Sequence, residues 1–205
     1  MRRQDIYSLL KPGQWLLASV LFFALNSPLY GQCCKLFVAV GDRSATLYPF
    51  EKVFDNNFYP LVQAGIEYLY NTDTSHLFYQ TAEATFYSHE NLGYGFGLRS
   101  QFGYRYEALG AFYPEVLAGV GYIGTLPSHE QFVMQDGHYV STRPWLSRVE
   151  VLLSVSFGYR FWKGKSLFIR YQYSVMAPYN QSIIAVPTDN LMLGFKMNLF
   201  KLKRK

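Results

Sequence analysis

Residues Leu92 to Glu107 alternate with a period of two. Leu92, Tyr94, Phe96, Leu98, Ser100, Phe102, Tyr104 and Tyr106 share one side of an extended chain. Gly93, Gly95, Gly97, Arg99, Gln101, Gly103, Arg105 and Glu107 share the other. One side is aromatic and apolar, the other glycine plus charge. The segment is as long as a strand that crosses a bilayer obliquely, or slightly longer. That length, with an apolar side opposite a charged one, constrains the fold more than any other feature of the chain.

Seven further segments read as strands: Lys35–Leu47, Phe58–Tyr70, Leu77–Ser88, Ala111–Ile123, Pro144–Trp162, Ser166–Val175 and Asn190–Phe200. The first is the least regular, because Gly41-Asp42-Arg43 interrupts its pattern. From the second strand to the eighth, no position on the apolar row is charged. Glu67, Glu83, Arg99, Arg105, Glu107, Glu115, Arg148, Glu150, Arg160, Arg170 and Lys196 fall on the other row. A soluble barrel with this pattern would have to bury the charges beneath a water-facing wall of Phe, Tyr, Val and Leu, and would aggregate. In a membrane barrel the same wall meets lipid and the charges line the interior. The linkers near Asn71–His76, Ala108–Gly110 and Lys163–Lys165 are tight. Pro49–Asn57, Thr125–Arg143 and Pro178–Asp189 are longer, though the His89–Asn91 link on that side is short. Short periplasmic turns and longer extracellular loops are the rule for outer-membrane barrels. The predicted fold is all-β: a single up-and-down antiparallel transmembrane β-barrel of eight strands.

Aromatic residues make up 19% of the 205 residues, with 18 Tyr and 17 Phe, which suits interfacial girdles. The mean hydropathy of −0.02 is too neutral for a helical membrane protein. The net charge of +5 is a weak clue. Arg2, Arg3 and Lys11 precede an apolar run, and Lys201, Lys203, Arg204 and Lys205 close the chain; no nucleic-acid-binding fold surrounds either group. The run Trp15–Leu25 follows its basic segment and is broken by Asn26–Gly31, a secretory signal pattern. Residues 1–31 are therefore read as a signal peptide and 32–205 as the barrel. Adjacent Cys33 and Cys34 have neither the spacing of a metal site nor that of a disulfide framework. Gln32 stands where a lipoprotein signal normally has a small residue.

Eight strands leave an interior just wide enough for side chains to fill it. The eleven inner charges, five carboxylates and six cations, nearly balance and predict a salt-bridged plug. The inner glycines Gly93, Gly95, Gly97, Gly119 and Gly121 would give room to large neighbours such as Arg99 and Arg105, or allow curvature. A narrow polar path is the alternative for the same residues. Catalysis of the lipid-modifying kind needs Ser, His and a carboxylate within reach of one another. Ser88-His89-Glu90 and Ser128-His129-Glu130 hold those types, but neighbours on an extended chain point to opposite sides. Asp136 and His138 flank Gly137 as a turn. No catalytic, metal or cofactor constellation is read, and the protein is not expected to be an enzyme. Thr125–Arg143 is the expected ligand-contacting loop, with Phe132, Tyr139 and Trp145 as aromatic contacts; loop packing and interface anchoring would account for the same residues.

Gly119-Val-Gly-Tyr-Ile123, Phe157-Gly-Tyr-Arg160, Leu167-Phe-Ile-Arg-Tyr-Gln172 followed by Ala177-Pro178, and Asn190-Leu-Met-Leu-Gly-Phe195 stand beside the signal peptide ending in Gly31-Gln32. In these the chain resembles the small eight-stranded outer-membrane barrels, in particular uncharacterised ones of Bacteroidota. The resemblance implies a Gram-negative outer membrane. It implies outer-membrane lipids and the barrel assembly machinery as partners, with an unknown extracellular ligand at the loops. Such barrels end on an aromatic residue, whereas Phe200 is followed here by five more residues. The expected role is structural, adhesive or ligand-contacting; a narrow solute channel and a lipid-modifying enzyme are the alternatives.

Overall fold

The computed structural model describes residues 34–45, 58–71, 75–90, 93–128, 131–135, 138–142, 145–178 and 185–199, with backbone alone for 131–135 and 138–142. The signal segment, Cys33, Leu92, His129, Glu130, Asp136 and the residues from Phe200 on lie outside the described residues. Ten strands run in chain order: β1 Cys34–Ala45, β2 Pro60–Leu69, β3 His76–His89, β4 Gly93–Tyr106, β5 Phe112–Leu126, β6 Gln131–Gln135, β7 His138–Thr142, β8 Leu146–Trp162, β9 Lys165–Ala177 and β10 Val186–Asn198. Eight of them close a barrel in the order β1-β10-β9-β8-β5-β4-β3-β2, and every adjacent pair is antiparallel. The closing seam pairs Lys35 with Asn198 and Ala45 with Thr188. Closure leaves no unpaired edge, the condition for a sheet to sit in hydrocarbon.

Alternation decides which side chains face which way. On β4 the burial pattern is buried–exposed from Gly93 through Leu98, Ser100 is half-buried on the same outer row, and Phe96, Leu98 and Phe102 stand outside. The outer row of β8 carries Val149, Val151, Leu153, Val155, Phe157 and Tyr159, all exposed. Outward tyrosines gather near both ends. Tyr68, Tyr104, Tyr106 and Tyr159 stand by the short turns; Tyr94, Tyr122 and Tyr173 stand towards the long loops. Outward polar groups bond one another: Gln80 Nε2 donates to Ser100 Oγ at 2.8 Å, and the Tyr70 hydroxyl donates to Gln80 Oε1. The outer rows carry charge only at their ends, with Asp42 and Asp189 by the loops and Lys165 by the turns.

Inside, large rings are paired with glycines across the ladder. Phe37 faces Gly65, Tyr79 faces Gly103, Tyr87 faces Gly95, Tyr113 faces Gly158 and Phe168 faces Gly194. In each pair the ring occupies the place a glycine Cβ would take; for Gly65 that Cβ would come 2.8 Å from Phe37 Cζ. The sequence reading assigned the glycines to arginines or curvature. Of those it named, Gly121 makes room for Arg99, whose Cγ would meet its Cβ at 2.7 Å, and Gly95 makes room for the Tyr87 ring.

Three boundaries differ from expectation. The Gly41-Asp42-Arg43 stretch does not interrupt β1: it pairs in unbroken register with Met192, Leu191 and Asn190. At Gly41 the neighbouring backbone approaches too closely for any Cβ, so the glycine serves the ladder instead of breaking it. The last strand begins at Val186, four residues before Asn190, and Val186–Asp189 belong to the wall. The long Thr125–Arg143 connection holds the hairpin β6–β7, which pairs only with itself; Thr125 and Leu126 still belong to β5.

Candidate functional site

The inward rows build a stack of polar layers. Nearest the short turns, four side chains from four strands interlock. Arg105 Nη2 lies 2.6 Å from Glu67 Oε2, and its Nε donates to Glu115 Oε1. Lys196 Nζ lies 2.6 Å from Glu67 Oε1 and 2.8 Å from Glu115 Oε2. Each carboxylate thus takes both cations, and all four groups are buried. The rings of Tyr79 and Tyr113 flank Arg105 at 4.7 and 5.0 Å.

At mid-height Glu83 is the centre. Gln101 Nε2 donates to its Oε2 at 2.9 Å, Gln63 Nε2 donates at 2.5 Å, and Arg170 Nη1 stands 3.4 Å from its Oε1. The Arg170 guanidinium lies between the faces of Phe37 and Phe168, at 5.3 and 5.2 Å. Ser154 Oγ donates to Gln101 Oε1 at 2.8 Å and accepts from Gln172 Nε2 at 3.0 Å, which ties this layer together.

Nearest the loops, Glu150 takes three donors. Arg43 Nη2 is 2.9 Å from Oε1, Arg99 Nε is 2.8 Å from Oε2, and Ser174 Oγ donates to Oε1 at 2.7 Å. Arg99 crosses from β4 over Gly121 on β5 to reach Glu150 on β8. Arg148 Nη1 donates to Thr125 Oγ1 at 3.1 Å, and Thr125 also bonds the Tyr87 hydroxyl at 3.1 Å. The Arg43 guanidinium sits 4.3 Å from the centre of the Tyr87 ring.

Of the sequence-predicted charges, Glu67, Glu83, Arg99, Arg105, Glu115, Arg148, Glu150, Arg170 and Lys196 are buried in these layers. Glu107 and Arg160 are not. They form a pair of 2.8 Å at the turn-side rim, where the Arg160 side chain is 38% exposed; alternation runs on past the lumen. Sequence reading missed Arg43, which is fully buried. The parity of β1 was the available signal, but the Gly41-Asp42 interruption obscured it. It also missed the neutral linkers Gln63, Gln101 and Gln172, which alternate with the charges yet carry none. With Arg43 added, the near-balance is corrected: among the described, buried lumen residues six cations face four carboxylates.

The predicted loop contacts divide. Phe132 and Tyr139 belong to the β6–β7 hairpin, where Phe132 pairs with Ser141 and Tyr139 with Met134. Trp145 lies outside the loop tip. It is 57% exposed, and its ring occupies the place a Cβ on Gly124 would take, on the outer face of the wall. Ser128 Oγ donates to the backbone carbonyls of His89 and Glu90, which ties Ser128 to the loop end of β3; His129 and Glu130 lie outside the described residues. His89 points inward and stacks on Tyr59 at 3.8 Å, while Ser88 lies on the opposite row. Among the described residues no group of three His, Cys, Asp or Glu side chains is placed to hold a metal ion.

No protein-family model matches the chain, and no curated protein matches it in sequence. Solved structures do. Neisserial surface protein A is 14% identical, with a TM-score of 0.52 over 82% of this chain and 97% of that one. The outer membrane enzyme PagL is 14% identical, with a TM-score of 0.48 over 80% and 98%. Ail, the attachment invasion locus protein of Yersinia pestis, is 14% identical, with a TM-score of 0.45 over 81% and 97%. At such identities likeness is a matter of fold. The chain is a closed, eight-stranded, antiparallel up-and-down β-barrel of the outer-membrane kind.

Proposed function

We propose that this protein is an integral protein of a Gram-negative outer membrane that works through its loop end, as a structural, adhesive or ligand-contacting barrel with a plugged interior. The observation that carries this reading is the inversion of burial. Phe, Val and Leu side chains stand exposed around the wall, while Glu67, Glu83, Arg105, Glu115, Glu150, Arg170 and Lys196 are packed inside. Lipid as the outer solvent makes that arrangement stable; water does not. The hairpin β6–β7, which pairs with itself and not with the barrel ladder, carries Phe132 and Tyr139. The neighbouring β3–β4 turn is fixed to the end of β5 by Ser128. Outer-membrane lipids and the barrel assembly machinery are the partners this placement requires. The motif-level kinship with Bacteroidota barrels is part of the same proposal.

A non-enzymatic role is supported by the engagement of the serine hydroxyl with two backbone carbonyls and by the opposite directions of Ser88 and His89. The experiment is fractionation with gel mobility. The folded barrel is expected in the outer-membrane fraction, and its mobility should change on boiling. Soluble periplasmic protein with no such shift overturns the reading. A steady unitary conductance in planar bilayers would remove the plugged interior in favour of a narrow channel.

A further inference from the structure

The buried charge is unevenly spread along the barrel axis. In the turn-side layer Arg105 and Lys196 meet Glu67 and Glu115, two against two. At mid-height Arg170 meets Glu83, one against one. At the loop end Arg43 and Arg99 share the single carboxylate of Glu150, and Arg148 lies in the same layer on Thr125. We propose that this loop-end layer is a binding site for a compact oxyanion, a phosphate or a carboxylate, held on Arg43.

Three observations carry it. Arg43 is fully buried, yet only its Nη2 is engaged, with Glu150 Oε1 at 2.9 Å and Met176 Sδ at 3.2 Å; Nε and Nη1 have no hydrogen-bond partner. A buried guanidinium left with two free donors is costly, and an oxyanion is the ligand that satisfies them. Arg170 shows how the fold handles such a group elsewhere. Its Nε and Nη2 also lack acceptors, but its charge has a carboxylate to itself and lies between two ring faces. Arg43 has one ring, Tyr87, and half a carboxylate.

Position is the third observation. Arg43 is two residues from the loop end of β1, and its own N–H donates to the Tyr59 carbonyl at 2.9 Å, where the chain enters β2. The two neutral layers lie between it and the short turns. Arg43 is fully buried and faces the lumen, so the proposed ligand is a free anion and not the phosphate of a bilayer lipid. The site adds a specific ligand to a barrel whose lower interior is closed.

The test is titration of the full-length barrel, refolded in detergent, with sodium phosphate, sodium acetate and, as control, sodium chloride at constant ionic strength. Calorimetry should show saturable binding of phosphate or acetate by the wild type, and the unfolding temperature should rise with the same ligand. R43Q should bind at least about tenfold more weakly. R43K keeps the charge and the fold but loses the planar fork; it should lose most of the oxyanion affinity while its chloride response stays the same. Absence of saturable binding in the wild type overturns the proposal. So does an R43K affinity equal to wild type, or binding of a short-chain phosphatidic acid in the absence of inorganic phosphate binding.

Discussion

Tyr79 on β3 and Gly103 on β4 are register partners, and the tyrosine ring occupies the space a side chain at Gly103 would fill. The same ring faces the Arg105 guanidinium at 4.7 Å and Lys196 Nζ at 5.9 Å. The glycine therefore supports the lower charge cluster as well as the curvature of the wall. A hole opposite a ring lets the ring lie against the sheet, and the flattened ring leaves room for two cations at the centre of a narrow barrel.

Filling that hole should cost stability. Gly103→Ala is expected to destabilise the barrel by about 1–3 kcal/mol, the range of overpacking in a close-packed interior. Gly110→Ala leaves open space around the new methyl, so its cost comes only from the positive φ of 73° at that residue. Urea unfolding in lipid vesicles, followed by tryptophan fluorescence, measures both. Combining Gly103→Ala with Tyr79→Ala should recover part of the loss, because the two changes act on one contact.

Breaking the turn-side cluster should cost more than breaking the rim. Glu115→Gln leaves the buried Glu67 to serve both Arg105 and Lys196 in a desolvated layer, at about 3–5 kcal/mol. Glu107→Gln removes the 2.8 Å pair with the half-exposed Arg160 and should cost less than about 1 kcal/mol. The same vesicle assay separates them, and equal costs would refute the layered interior.

The outer wall predicts a gradient with depth. Val151 stands midway along β8 and is 59% exposed. Val151→Arg should cost about 2–4 kcal/mol of folding free energy in bilayers. Phe112→Arg, at the turn-side end of β5, should cost about 0–1 kcal/mol for its charge. A wall that faced water would tolerate both substitutions alike.

The hairpin β6–β7 contributes no strand to the barrel. Replacing residues 129–143 with a short Gly-Ser linker should leave the heat-dependent gel shift intact, and any surface adhesion of whole cells should fall. Loss of the shift would show that the hairpin is needed for closure.

Much of the architecture was legible because lipid imposes a simple rule. Charges on an outward row are expensive at membrane depth, so the period-two pattern from Phe58 to Phe200 reveals strand, face and solvent together. Arg99, Arg105, Glu115 and Glu150 could be assigned to the interior on parity alone. Trp145 follows the same rule at the edge of its strand: within Pro144–Trp162 it shares the parity of Val149 and Val151, and its ring lies on the wall over Gly124.

The sequence by itself determined the number of barrel strands, the inward and outward rows and the side on which the long loops lie, because each follows from local alternation and spacing. Only the tertiary structure decided which charges meet. Arg43 and Glu150 are 107 residues apart, and Lys196 and Glu115 are 81 apart. Their contacts depend on how the staggered register closes β1 onto β10, a global property that no single strand encodes. Closure turned a nearly balanced set of inner charges into two neutral layers beneath a positive one.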